Sequence, residues 1–203
     1  MPLILMRLRR IALFDMDVLD DVRLDPRATM SALGVAVASI AFLGLGGWLW
    51  WVQSGLGDRT FVFVKSVLIG GAFSVAAWLV WLLVATLVLQ RIGHMAVDVG
   101  QLVRAAGFAC APLTLALFMV IRPVAFGVGM VAIAGWVACT QIAIQRVSGR
   151  AGRETLAANV AGFAAWALLM SLLTTARNPF GPGPFLADAI WKAVVGHAVF
   201  FAG

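Results

Sequence analysis

Met30-Ser31-Ala32-Leu33-Gly34-Val35-Ala36-Val37-Ala38-Ser39-Ile40-Ala41-Phe42-Leu43-Gly44-Leu45-Gly46-Gly47-Trp48-Leu49-Trp50-Trp51-Val52 contains no charged side chain. Wound as an α-helix at ~1.5 Å per residue, a run of this length crosses the ~30 Å hydrocarbon core of a bilayer. Four more apolar stretches come after it, Phe61 to Leu89, Gly107 to Ile121, Pro123 to Ile144 and Leu156 to Ala176. They predict an all-α, polytopic transmembrane helical bundle of five spans plus an interfacial C-terminal helix. On this reading residues 1–25 are a cytoplasmic interfacial segment, 26–177 a five-helix transmembrane domain, and 178–203 a Pro/Gly loop with an interfacial helix. The loops are too short to hold a separate soluble domain.

Composition agrees. Of the 203 residues 63% are hydrophobic and 12% charged, about half the charged fraction of a soluble domain at ~25%. The net charge of +6 would suggest nucleic acid in a soluble protein, but here topology accounts for it and no nucleic-acid partner is expected. Arg7, Arg9, Arg10, Arg23, Arg27, Arg91, Arg104, Arg146, Arg150 and Arg153 fall on one side of an alternating five-span chain. Arg59, Lys65, Arg122, Arg177 and Lys192 fall on the other. The excess of basic residues places the N-terminus in the cytoplasm.

The beginning reads either as a flexible leader or as a segment lying on the headgroups: Leu3, Ile4, Leu5, Met6, Leu8, Ile11 and Leu13 interleave with Arg7, Arg9 and Arg10, whose guanidinium groups would meet lipid phosphates. The apolar run Ile11 to Phe14 is too short for the core of a signal peptide. Asp15, Asp17, Asp20, Asp21 and Asp25 form an acidic patch without the spacing of a calcium loop, read as solvated or helix-capping. Asp25-Pro26 is a helix start: the carboxylate accepts from free amides, and proline loses nothing at the first position. At the other end, Phe185 to Ala202 is apolar enough for a short sixth span. Asp188, Trp191, Lys192 and His197 around it argue instead for a helix at the far interface.

Inside the spans, small residues mark candidate helix contacts, because close backbone approach is what binds helices in lipid. Ala157, Ala161 and Ala165, flanked by Ala158 and Gly162, line span five. Gly70 with Ser74, Ala125 with Gly129, and Gly135 with Cys139 are further pairs. Pro112 should bend or unwind span three and free carbonyls near Phe108, for which Thr114, Thr140, Gln141 and Asn159 are candidate donors. Trp48, Trp50, Trp51 and Trp191 read as interfacial anchors. Arg104, near a span end, reads as snorkelling.

Catalytic chemistry finds little to work with. Glu154 is the single glutamate, and neither a phosphate loop nor a nucleophile elbow is present. The two histidines, His94 and His197, fall on opposite sides of the membrane, so no metal site or triad is expected. Each reads as interfacial or solvated rather than as a ligand of haem or pigment, and no cofactor is expected. Cys110 and Cys139 lie in apolar stretches as packing residues. No charge sits in mid-span, which disfavours a conducting pathway.

The segment from Gln101 through Leu102, Arg104, Gly107-Phe108-Ala109 to Ala111-Pro112, followed by Pro123, Trp136, Ala143 and Gly149-Arg150-Ala151, resembles the Yip family of five-span membrane proteins, in particular its bacterial members. Asp25-Pro26-Arg27-Ala28-Thr29 with Ala32, and Trp78 to Trp81, resemble its first two spans. The resemblance implies a compact five-helix bundle with a cytoplasmic N-terminus and no enzymatic activity. Eukaryotic members act in vesicle trafficking and contact small GTPases, but their N-terminal extension is longer than residues 1–25. Arginine outnumbers lysine and alanine is abundant, pointing to a GC-rich genome and a bacterial inner membrane. The expected function is that of a structural or accessory subunit or scaffold of a larger membrane assembly, such as a respiratory or photosynthetic one. Its partners would be membrane lipids and other integral membrane subunits. The alternative is a small transporter or a lipid-handling or membrane-trafficking protein.

Overall fold

The computed structural model describes residues 3–54 and 59–174; the Pro/Gly loop, the C-terminal helix, Trp191 and His197 lie outside the described residues. Every element in the described chain is helical. Two short helices, α1 (Leu3–Ala12) and α2 (Val18–Leu24), precede α3 (Ala28–Ser54). Then α4 (Arg59–Phe63) runs through a π-helical stretch, Val64–Ile69, into α5 (Gly70–Arg91). Next come α6 (Val99–Ala109), continued by a 3-10 segment Ala111–Val120, a short 3-10 turn Arg122–Val124, α7 (Ala125–Ser148) and α8 (Arg153–Thr174).

Among the described residues four stretches are long and apolar enough to cross a membrane: Ala28–Gln53, Ser66–Arg91, Val99–Val120 and Ala125–Ser148. The protein is therefore read as integral to a membrane. The fifth stretch of the sequence reading is helix α8, 22 residues long, packed along α5. Polar contacts order the ends of the helices. Arg104 near the start of α6 donates to the Arg23 carbonyl just ahead of α3, and Arg146 at the end of α7 pairs with Asp17 and Asp20. At the other end Gln53 Nε2 donates to the Val120 carbonyl at 2.6 Å. The helices thus alternate in direction.

Span three begins earlier than its apolar stretch does. Fifteen residues from Gly107 to Ile121, wound as an α-helix, would be only ~22 Å long. The structure starts the helix at Val99, where the Asp98 side chain accepts from the amides of Gly100 and Gln101 at 2.7 and 3.2 Å. Pro112, which has no amide hydrogen and would clash with the carbonyl four residues back, stops the α-helix at Ala109. The chain tightens instead of kinking open. A 3-10 helix has three residues per turn, and the buried positions here fall at Cys110, Leu113, Ala116 and Met119, one in every three.

The freed groups are satisfied locally, by a backbone amide and by Thr114, one of the four candidate donors; the three more distant candidates do not serve them. Cys110 N donates to Gly107 O, and Thr114 Oγ1 donates to Ala111 O at 2.8 Å. Gln141 and Asn159 instead bond across the α7–α8 seam, to Thr155 Oγ1 at 3.3 Å and Val137 O at 3.1 Å, and Thr140 Oγ1 has no hydrogen-bond partner among the described residues.

The core runs along the inner faces of all the long helices, from Ile40 and Leu43 on α3 through Leu82 and Leu89 on α5 to Ile144 on α7. Where backbones come closest, side chains vanish. A Cβ on Gly46 would sit 2.0 Å from the Ala116 carbonyl oxygen, and one on Gly162 would sit 2.0 Å from Trp81 Cδ1.

Candidate functional site

Two places collect polar chemistry: a charged cap at one end of the bundle and a tryptophan-lined interior between α5, α7 and α8. The cap is the α1–α2 hairpin. Arg7 Nη2 lies 2.9 Å from Asp25 Oδ2, and its guanidinium stands 6.0 Å over the Phe108 ring. Arg10 reaches Asp15 at 2.7 Å and Asp21 at 2.6 Å, and Arg23 reaches Asp20 at 2.7 Å. Arg146 closes the cap onto α7 through Asp17 at 2.9 Å and through Asp20. Arg104 forks onto the Arg23 carbonyl with Nε and Nη2 at 2.9 and 2.8 Å.

This arrangement corrects three expectations. Arg7 and Arg10 meet aspartates of their own chain rather than lipid phosphates. The acidic patch, read as solvated or capping, is a set of pairing partners of which Asp17 and Asp21 also stay largely open to solvent. Arg104 is anchored to the N-terminal segment rather than snorkelling. Asp25 does accept the Arg27 amide at 3.0 Å with its other oxygen, so it caps α3 and holds Arg7 at once.

The pairs shape the titration of the carboxylates. The hydrogen bond from Arg10 holds Asp15 below its ordinary value, and that from Arg7 does the same for Asp25. Burial pushes Asp20 up, but hydrogen bonds from Arg23 and Arg146 together outweigh it and leave the group lowered. Arg10, bonded to Asp15 and Asp21, is raised. Apart from Arg7–Asp25, whose arginine is buried, these pairs are open to solvent and fix geometry more than they add stability.

The interior is built from rings. Trp78, Trp81, Trp136 and Trp166 are fully buried. Trp81 meets Trp136 edge-on at 4.9 Å between centroids, Trp136 meets Trp166 at 5.2 Å, and Phe163 meets Trp81 at 5.3 Å, so the indoles fill the space between the helices. Around them several buried polar atoms have no hydrogen-bond partner among the described residues: Ser74 Oγ, Trp78 Nε1, Trp81 Nε1, Thr140 Oγ1, Gln141 Oε1 and Asn159 Oδ1. Among the described buried polar residues only Arg7 is charged. The interior can offer neutral hydrogen bonds, and among the described residues no carboxylate or histidine is buried in it to relay a proton.

No family model, curated protein or solved structure matches this chain. The residues singled out in the sequence therefore stand on their placement alone. Gly70, Ser74 and Gly129 are buried, and Pro112 packs against Gly135. On α8 the inward row is Thr155, Ala158, Asn159, Gly162, Trp166 and Met170; Ala161 and Ala165 flank it half-buried, and Ala157 faces outward. Trp48 and Trp51 are half-buried and Trp50 is exposed near the end of α3, with Trp48 edge-on to Phe63 at 5.2 Å. His94 lies in the α5–α6 loop with a positive φ of 49°. The sequence reading missed the core tryptophans. Their signal was position, since Trp78, Trp81, Trp136 and Trp166 stand inside apolar stretches and not at the ends where a belt belongs.

Proposed function

We propose that the protein is a non-enzymatic integral membrane protein of the bacterial inner membrane, N-terminus in the cytoplasm, that serves as a structural or accessory subunit or scaffold of a larger membrane assembly. In this reading α8 makes a fifth crossing, no cofactor is carried, and the chain is a Yip-family member on the motifs running from Asp25 to Ala151. The observation that carries the reading is the filled interior: buried indoles occupy the space where a pathway would run, and the ionisable side chains of the cap are spent on one another. What remains for function is the outer surface, where Leu79, Leu83, Leu87, Phe126, Val131 and Leu168 stand exposed along three helices. Such surfaces meet lipid or the helices of other subunits.

Purification from the native membrane in mild detergent tests this. A larger membrane complex should co-purify in stoichiometric amount, and Gln141→Leu with Asn159→Leu should leave the association intact. A second reading, a small transporter or lipid-handling protein, draws on the unpartnered Gln141 Oε1, Asn159 Oδ1 and Ser74 Oγ. A partner-free, monodisperse protein that moves solute into liposomes, and loses that flux in the same double variant, would replace the first reading with the second.

A further inference from the structure

Helix α1 buries Ile11 in the ordinary way, but its first turn exposes apolar side chains that an arm in water would cover. A short helix lying on a protein surface in water turns its aliphatic side chains inward and its arginines outward. Here Arg7 is 8% exposed, turned in toward Asp25 and the Phe108 ring. Arg10 spends its guanidinium on Asp15 and Asp21. Leu3, Ile4, Leu5 and Met6 make up the first turn and are exposed all round it, at 51, 39, 50 and 49%.

The level at which α1 packs points the same way. Ile11 and Leu8 join a cluster with Ala32, Val35, Phe108 and Ala109. Ala32 and Val35 lie one and two turns inside α3, roughly 6 and 10 Å from its first residue at ~1.5 Å per residue. The helix also touches the 3-10 segment Ala111–Val120, whose own Leu115 and Phe118 face outward. The outer surface of α1 therefore continues the apolar belt of a membrane-crossing unit and does not sit above it.

We propose that α1 is embedded beside the bundle among lipid acyl chains, with Leu3, Ile4, Leu5 and Met6 in contact with hydrocarbon. The occupant of this face is the lipid of the protein's own membrane. Arg7 is tolerable at that depth because Asp25 neutralises it and the Phe108 ring covers it, whereas an unpaired arginine there would be costly. Arg9, exposed three residues before the α1–α2 turn, has a stem long enough to carry its charge back to the headgroups. A helix resting on the headgroups would turn its arginines out toward phosphate, whereas Arg7 and Arg10 are turned to Asp25, Asp15 and Asp21. The inference rests on the reading of the bundle as membrane-spanning, and its test separates the two.

The test uses full-length protein in phosphatidylcholine–phosphatidylglycerol vesicles, in a Cys110→Ala, Cys139→Ala background. A nitroxide is placed at Leu5→Cys, at Leu83→Cys on the exposed side of α5, and at Gly152→Cys in the exposed α7–α8 turn. Collision with oxygen, which concentrates in hydrocarbon, is compared with collision with a water-soluble nickel chelate. The oxygen-to-nickel ratio at Leu5 is expected to match that at Leu83 and to exceed that at Gly152 several-fold. Met6→Cys should behave alike and serves if Leu5→Cys fails to fold. A Leu5 label that meets the nickel chelate as the Gly152 label does, or one shielded from both reagents by another protein surface, overturns the proposal. If Leu83 also behaves as a site in water, it is the membrane reading of the bundle that fails.

Discussion

Gly162→Ala adds one methyl group to α8 at the point where it lies against α5. The new Cβ would stand 2.0 Å from Trp81 Cδ1 and 2.6 Å from the Trp81 carbonyl oxygen, where unstrained contact is ~3.5 Å. The ring cannot swing aside, because Trp136 and Phe163 hold it at 4.9 and 5.3 Å. The carbonyl belongs to the α5 backbone, so the two helices must part by about 1 Å, and a gap of that size forfeits a quarter to a half of each dispersion well along the seam. Overpacking of this kind costs ~1–3 kcal/mol, and a site clamped on both sides belongs at the upper end. Alanine in place of glycine returns about 1 kcal/mol of helix propensity, leaving a net loss of ~2 kcal/mol. On a scale of ~2–4 °C per kcal/mol for a chain of this size, the melting temperature should fall by roughly 4–8 °C. Tryptophan fluorescence melting in detergent reads this directly, since the probes are the residues displaced. Ala157→Leu, on the outward side of the same helix, is the control and should melt within about 1 °C of the parent, as an exposed substitution does. Gly162→Ala melting with the parent would refute the seam.

Acid should release the cap only at low pH. Asp15, Asp20 and Asp25 are lowered from an ordinary value of 3.8, so the stability they contribute is present above 3.8 and is lost as pH falls through their folded values below it. Protection of the α1 and α2 amides, measured against their intrinsic exchange rate at each pH, should therefore hold from pH 8 down to about 5 and fall only below about 4; loss of protection between pH 5 and 7 would mean that these pairs do not hold the cap. For topology, a cysteine at Ser54 should react with an impermeant thiol reagent from outside the cell and one at Ser148 should not, and reversed labelling would invert the assigned orientation.

The helical membrane class was legible because it depends on the absence of charge over twenty or so residues, a property of the chain alone. The effect of Pro112 was legible too, since a missing amide hydrogen is local, although the outcome was a tightened helix and not a bend. Partners were not legible. Arg146 and Asp20 are 126 positions apart, and nothing near either names the other, so the arginines were assigned to lipid and the aspartates to water. The tryptophans failed for a related reason: an indole suits an interface and a core equally, and only the neighbours of Trp81 and Trp136 decide. The π-helical turn Val64–Ile69 has no recognisable signature in its sequence, and no side chain described around it accounts for it.

The 3-10 segment gives Ala111–Val120 a frame of three. Each residue advances the chain by ~2.0 Å and turns it by about 120°, so side chains fall into three straight rows instead of a drifting stripe. One row, Cys110, Leu113, Ala116 and Met119, is core; another, with Leu115 and Phe118, faces out. In an α-helix an inserted residue likewise rotates every downstream turn, by about 100°. Here a single insertion shifts every row onto its neighbour at once, bringing Leu115 to the place where Ala116 meets Gly46. An insertion of three keeps each row on its own face but slides it by one turn, bringing Leu113 to that same place, so the close approach at Gly46 fixes the length of this segment as well as its rows.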